Sequence, residues 1–255
     1  MANRIALTVD LEPDWGVRGT RAYREVTPRF LRFLEERDLR ATFFVVSDLL
    51  DVGREPLAAA AERNEIASHG RSHRLLNRLS RAETLGELEE SRLRLSDCAQ
   101  GVRGFRAPFF RRCPDFDELL TNAGYAYDAS LGTVWPGPWN RRLHALECPH
   151  RAGGVWEFPT SAMAAGMLPL SLTWLRLFAP HSLGWLPRRP RLLYLHLHEF
   201  LPAETASCLP PQLRWTLTRN CGRRAWDVLD RAVDAMGGRM TTCADVLTDM
   251  RSEDG

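Results

Sequence analysis

The sequence has no uninterrupted run of about 20 apolar residues, the length a membrane-spanning helix needs. Its longest apolar region, Ala162 to Leu186, is broken by Pro169, Arg176, Pro180 and His181. An excess of one charge is also missing, since 34 basic residues face 32 acidic ones and leave a formal net charge of +2. That balance excludes a global field suited to nucleic acid or to an anionic surface. The cysteines, Cys98, Cys113, Cys148, Cys208, Cys221 and Cys243, include no CxxC pair and no metal-type spacing. Free thiols are therefore expected rather than a disulfide framework. The opening residues contain neither the long apolar core nor the cleavage site of a secretory signal, so a cytoplasmic location is expected, with the inner face of the membrane as a variant. No composition shift marks a linker, and neither an internal repeat nor a low-complexity tract is visible.

What is present is an ordinary globular composition: 255 residues, 44% hydrophobic and 26% charged. One domain covering residues 1–255 is expected, a usual size for an α/β barrel. Ile5 to Val9 is a short apolar run suited to a buried parallel strand, and it ends in the acidic stretch Asp10 to Asp14. Thr27 and Pro28 provide an N-cap and a first helical residue, Phe30, Leu31, Phe33 and Leu34 an apolar helix face, and Ala41 to Val46 a second strand. The alternation continues with helices near 55–63, 80–98, 114–123, 223–235 and 243–250, and strands near 65–68, 104–106, 125–129, 155–159 and 192–198. Such alternation predicts a parallel sheet covered by helices, open or closed into a barrel. Leu131 to Gly154 reads as an extended surface loop.

The polar residues of interest fall at the C-terminal ends of these strands, where α/β folds place their sites. His69 and His73 lie four apart, a spacing that brings two imidazoles to one side of a helical turn and lets them share a metal. Asp10 and Glu12, two apart at the end of the first strand, point the same way if the extended geometry persists. One carboxylate is then available to bind the metal and the other to take a proton; Asp14 either substitutes as a ligand or caps the next helix. Tyr194, His196 and His198 share a strand face, and a histidine at a strand end suits a general acid. Arg106 sits among apolar neighbours and requires a carboxylate partner if buried, Asp10 being the obvious one.

These segments, in this order, resemble the motifs of the polysaccharide deacetylase family, also called the NodB-homology domain or carbohydrate esterase family four. Leu7 to Glu12 resembles its first motif in the form where an uncharged residue separates the two acids. His69 to His73 resembles its HxxxH metal motif, Arg106 to Phe109 its RxPF/Y motif, and Tyr194 to Phe200 its YxHPWEF motif with Leu197 and His198 in place of Pro and Trp. Asp128 and Glu157 lie in segments also similar to this branch. The resemblance implies an irregular (β/α) barrel of about seven parallel strands in a single domain. It further implies one divalent metal ion, usually zinc, on Glu12, His69 and His73, with Asp10, Arg106 and His196 as catalytic residues and Pro108, Phe109, Asp128 and His198 as substrate contacts.

The function expected is a metal-dependent hydrolase that removes an N-acetyl group from an amino sugar or polysaccharide. One alternative is a deacetylase or deformylase of a lipid-linked sugar, motivated by residues 162–191, where an apolar stretch adjoins Arg188, Arg189 and Arg191 and offers a peripheral membrane contact. Another is a carbohydrate-binding protein that keeps the fold without catalysis.

Overall fold

The structure, a computed structural model, describes residues 4–132, 149–188, 191–237 and 240–253. Its first strand, β1 (Ile5–Leu11), is buried at all seven positions, as its near-continuous apolar run requires. The other strands are β2 (Thr42–Val45), β3 (Glu65–Ser68), β4 (Gly104–Phe105), β5 (Tyr127–Asp128), β6 (His150–Ala152), β7 (Val155–Glu157), β8 (Ala162–Met163), β9 (Leu168–Pro169), β10 (Leu192–His196) and β11 (Met240–Thr241). Helices α1 (Thr27–Glu36), α2 (Glu55–Ala61), α3 (Arg81–Ser96), α4 (Phe116–Asn122), α5 (Leu172–Leu177), α6 (Pro211–Thr218), α7 (Arg223–Ala235) and α8 (Cys243–Glu253) alternate with them.

The main sheet runs β10, β1, β2, β3, β4, β5, β7, β6, with β11 also paired to β1. Every pairing is parallel except β6 on β7, an antiparallel pair whose β6 lies in the segment expected to be loop and whose β7 is the strand expected near 155–159. This is the irregular, incompletely closed barrel of the expected class. Its β10 edge is lined by the chain after β7: the Ser161 hydroxyl accepts from the Arg191 and Leu192 amides at 2.8 and 3.0 Å, and Ser171 bridges to Tyr194.

The two-residue period of the strands divides the core. From β1, Ile5, Leu7, Val9 and Leu11 pack outward into the large cluster beneath the helices. Ala6 turns inward, to a smaller cluster with Phe44, Ala67, Tyr127, Ala129, Phe158 and Leu192, which Cys243, Val246 and Leu247 of α8 plug. The inward row of β1 therefore reads Ala6, Thr8, Asp10, and that of β10 reads Leu192, Tyr194, His196. Each passes from apolar at the plugged end to ionisable at the other, so charge collects at the C-terminal mouth.

Two local expectations change. Helix α1 continues a π-helical turn, Ala22–Val26, so Thr27 lies inside the helical run and is not its cap. The true start is held by Asp14, whose carboxylate accepts from the Arg21 and Ala22 amides at 2.8 and 2.9 Å. The region 162–186 divides: Ala162, Met163, Leu170, Leu172, Leu175 and Leu177 are core, whereas Met167, Phe178 and Trp185 reach the surface. No helix among the described residues is long and apolar enough to cross a membrane. The five described cysteines are free; Cys148 lies outside the described residues.

Gly104 is tightly constrained. A β-carbon there would overlap the Tyr127 ring, whose hydroxyl is fixed on Glu65 at 2.9 Å inside the barrel. Gly104→Ala should destabilise the fold by about 3 kcal/mol, the upper range for overpacking. Denaturant unfolding checks this, and an unchanged midpoint would show that the ring yields freely.

Candidate metal centre and active site

Glu12, His69 and His73 converge at the mouth of the barrel, with one ligand atom from each lying within 4.8 Å of the others. They arrive from two loops: Glu12 follows β1, and both histidines follow β3. The histidine pair is not on a helical turn, as the spacing alone suggested. Gly70 and His73 take positive φ (80° and 60°), so the chain doubles back and brings the two imidazoles to 5.2 Å between centroids. Glu87 of α3 holds that loop, accepting from the amides of Arg71 (2.9 Å) and Ser72 (3.0 Å) and from the Ser72 hydroxyl (2.5 Å).

The three side chains fit a divalent metal. His69 must donate from Nδ1, because its partner there is the carbonyl of Arg106 at 2.8 Å. In the neutral ring Nε2 is then a bare lone pair, and it faces Glu12 Oε2 at 3.5 Å, acceptor against acceptor. His73 Nε2 lies 2.7 Å from the same oxygen without making a directed hydrogen bond. A cation between them resolves both contacts, and the anchored Nδ1 is the usual second support of a metal-binding imidazole. Burial pushes the Glu12 carboxyl up, but His196, His69 and His73 more than offset this and hold it well below the usual carboxylate range. Asp14, occupied at the helix start, is not in this group.

Asp10 lies beside it, 2% exposed, and its Oδ1 takes a hydrogen bond from Arg106 Nη1 at 2.5 Å. Arg106 is completely buried. Its Nε donates to the Ala129 carbonyl (3.0 Å), its Nη2 to the Thr8 hydroxyl (3.1 Å), and its guanidinium carbon lies 4.2 Å from the centre of the Phe44 ring. Every donor direction of the fork is thus defined.

His196 approaches from β10, with Nε2 3.8 Å from Asp10 Oδ2 and 4.0 Å from Glu12 Oε1. Its Nδ1 faces Glu199 Oε1 at 3.4 Å, and the same oxygen accepts the His196 amide at 3.0 Å. Burial lowers the imidazole's affinity for a proton, yet Glu12, Glu199 and Asp10 raise its pKa to about 9. Glu199 is in turn held by Arg176 at 2.6 Å. Burial pushes its carboxyl up, but Arg176 and His196 bring it down to about 2. His198 is stacked between His196 (4.9 Å) and Trp15 (4.8 Å), and burial together with the charge on His196 lowers it to about 3. It is a neutral packing partner on the wall of the site.

Glu87, Glu199 and Arg176 carry no role in the sequence reading. Arg176 had a usable signal, the one applied to Arg106: a guanidinium in an apolar run needs a buried carboxylate. Trp15, His73, Phe109 and Phe110 all hold φ between 56° and 60°, a region rare for residues other than glycine, and they border the site together.

The expected substrate contacts fare differently. Phe109 is 53% exposed and its ring lies 4.7 Å from that of His73, a free aromatic surface at the rim. Pro108 is buried beneath the loop and presents no surface. Asp128 stands apart because of the strand period: Tyr127 and Ala129 face the barrel interior, so Asp128 between them faces outward. There it pairs across the sheet with Glu157, with Ser130 bonded to it, and Arg112 reaches both acids, at 3.2 Å from Glu157 and 3.8 Å from Asp128. Its indirect link to the site is the Ser130 hydroxyl, which also accepts the Ala107 amide at 2.7 Å beside Arg106.

The sequence profile described as polysaccharide deacetylase matches residues 2–127. No curated protein matches the sequence significantly. Among solved structures, a provisionally named polysaccharide deacetylase from Mycobacterium smegmatis is similar over 100% of this chain and 93% of its own, at 18% identity and a TM-score of 0.62. The peptidoglycan deacetylase PdaC of Bacillus subtilis is similar over 99% and 93%, at 15% identity and 0.59. A carbohydrate esterase family 4 pseudoenzyme from Bacillus anthracis is similar over 97% of this chain at 14% identity and 0.57, and this chain spans 66% of its length. At such identities the likeness is one of fold.

The outer carboxyl pair yields a test. Burial and the facing Asp128 raise Glu157 well above the usual carboxylate range, although Arg112 opposes them, so the pair keeps a proton at neutral pH. The unfolded chain releases that proton near the ordinary glutamate value of about 4.3. Stability contributed by the protonated pair therefore falls as pH rises above that value toward the raised folded one. Glu157→Gln preserves the shape without the titration, so its melting temperature should decline less than wild type between about pH 5 and about pH 9. Equal declines in the two proteins would refute the shared proton.

Proposed function

Over residues 2–127 the chain belongs to the polysaccharide deacetylase family, and from that premise we propose that it hydrolyses the N-acetyl group of an amino sugar in a polysaccharide or smaller glycan. The observation that carries this reading is the closure of a Glu12–His69–His73 cluster within 4.8 Å, flanked by Asp10 on Arg106 and by His196 on Glu199. A divalent metal ion held by Glu12, His69 and His73 would supply Lewis-acid polarisation of the amide carbonyl.

The chain's own residues do the rest. Asp10 accepts the proton of the attacking water through Oδ2, the oxygen Arg106 leaves free, while Arg106 fixes the carboxylate through Oδ1. His196, beside Asp10 and held by Glu199, donates from Nε2 to the departing amine as the carbon–nitrogen bond breaks. One water is consumed, giving acetate and a free amino sugar. Glu199 keeps Nε2 of His196 directed at the reacting centre by engaging Nδ1. The exposed Phe109 ring suits the apolar face of a sugar.

A binding protein without catalysis is the competing reading, and the pseudoenzyme of the same fold gives it substance. The complete set of base, orienting arginine, acid and metal cluster in one mouth supports catalysis instead. Asp10→Asn should lower acetate release from an N-acetylated oligosaccharide by roughly 10²–10⁴-fold, the contribution of one acid–base group. Its metal content by atomic emission should equal that of wild type, whereas Glu12→Gln should lose metal. Full turnover by Asp10→Asn would overturn the assignment, and a metal-loaded wild type that releases no acetate would favour the binding protein.

A further inference from the structure

We propose that the face formed by α5, α6 and the aromatic segment Phe178 to Trp185 docks onto an anionic lipid bilayer. The first observation is where acidic residues are missing. Of the 32 in the chain, only Glu199 and Glu204 occur between Phe158 and Trp226, and Glu199 is buried on Arg176. The same stretch contains eight arginines, whereas the rest of the chain has 26 against 30 acids. The near-zero net charge therefore conceals a basic stretch of the sequence.

The structure gathers this stretch together. Arg176 of α5 donates to the carbonyls of Leu217 and, at 2.5 Å, Arg219, and Asn220 donates back to the Arg176 carbonyl at 2.6 Å, so the end of α6 is fastened to α5. Many, though not all, surface arginines elsewhere meet carboxylates, as Arg21 meets Glu25 and Arg81 meets Glu118. Here Arg214 is held by the Ser207 and Leu209 carbonyls, Arg224 by the Asn220 amide, and Arg219 lies over the Trp215 ring. Arg188 and Arg223 are exposed. No carboxylate lies within ion-pair distance of these arginines among the described residues, which leaves their charge available to an anionic plane.

The apolar half of the argument is independent. Nine large hydrophobic side chains are exposed among the described residues, and five belong to this stretch: Met167 (63%), Phe178 (37%), Trp185 (39%), Leu213 (52%) and Trp215 (63%). Trp174 stacks on Phe178 at 6.0 Å and Phe178 meets Trp185 at 5.4 Å, forming one ridge, and the Ala164 amide ties the Met167 turn to the Trp185 carbonyl at 3.1 Å. Helix α6 buries none of its residues. Exposed tryptophans among arginines, with Glu204 the single exposed acid of the stretch, match the headgroup region of an anionic membrane, where indoles settle and carboxylates are repelled. The inference stands apart from the proposed chemistry, since it uses no residue of the metal cluster.

Flotation of the intact protein tests it, with phosphatidylcholine vesicles and with phosphatidylcholine vesicles containing phosphatidylserine, at low and high salt. Wild type should float with the anionic vesicles at low salt and remain behind with the neutral ones. Arg188→Glu with Arg219→Glu should reduce anionic binding by about ten-fold, and Trp185→Ser with Trp215→Ser should reduce it as much, each at an unchanged melting temperature. Absence of flotation, equal binding to both vesicle types, or variants that bind as wild type would each overturn the proposal. So would a dimer in solution that the tryptophan variant abolishes, because the face would then serve a second copy.

Discussion

The ion pair between Arg106 and Asp10 is the constraint on which the site depends. Arg106 is sealed from solvent and Asp10 is 2% exposed, and the Asp10 oxygen not bound by Arg106 is the one nearest His196. Such a pair adds little net stability, since desolvation of both charges offsets their attraction. Losing one partner is costly, about 3–5 kcal/mol, because the other is left buried and unpaired. Its value here is geometric. The guanidinium joins β1 to the turn after β5 through Thr8 and Ala129, and the Arg106 carbonyl fixes His69, so one residue orients both Asp10, the proposed base, and His69, a proposed metal ligand.

A second buried arginine repeats the device on the acid side. Arg176 fixes Glu199, and Glu199 fixes His196. Because Arg176 is also tied to the carbonyls at the end of α6, the orientation of His196, the proposed acid, rests on helices remote from the barrel mouth. Among the described residues the two arginines are the largest fully buried side chains, and each ends on a carboxylate of the site.

Much of this was legible in residues alone. Strand ends carrying Asp10, His69, Arg106 and His196 follow from apolar runs that stop at polar residues, and the run that becomes β1 is read almost to its ends. Other readings failed for identifiable reasons. The four-residue spacing of His69 and His73 suggested a helical turn, but Gly70 and a left-handed His73 make a loop, which needs Glu87 from a distant helix to hold it. The family resemblance implied Asp128 as a substrate contact, yet the two-residue period turns it to the outer face. Asp14 and Glu12 were equivalent as letters; the two amides at the start of the helical run claim one and leave the other for the histidines.

The sequence by itself determined the parallel architecture, the identity of the groups at its mouth and the lack of an apolar run long enough for a membrane-crossing helix, because hydrophobic period, strand length and residue chemistry are local properties. Which carboxylate joins His69 and His73, which histidine faces the acids and which packs against Trp15, and which arginine holds which acid were decided only by tertiary structure. Those outcomes depend on burial and on distances of a few ångströms between residues as far apart in the chain as Asp10 and His196, and no local pattern encodes them.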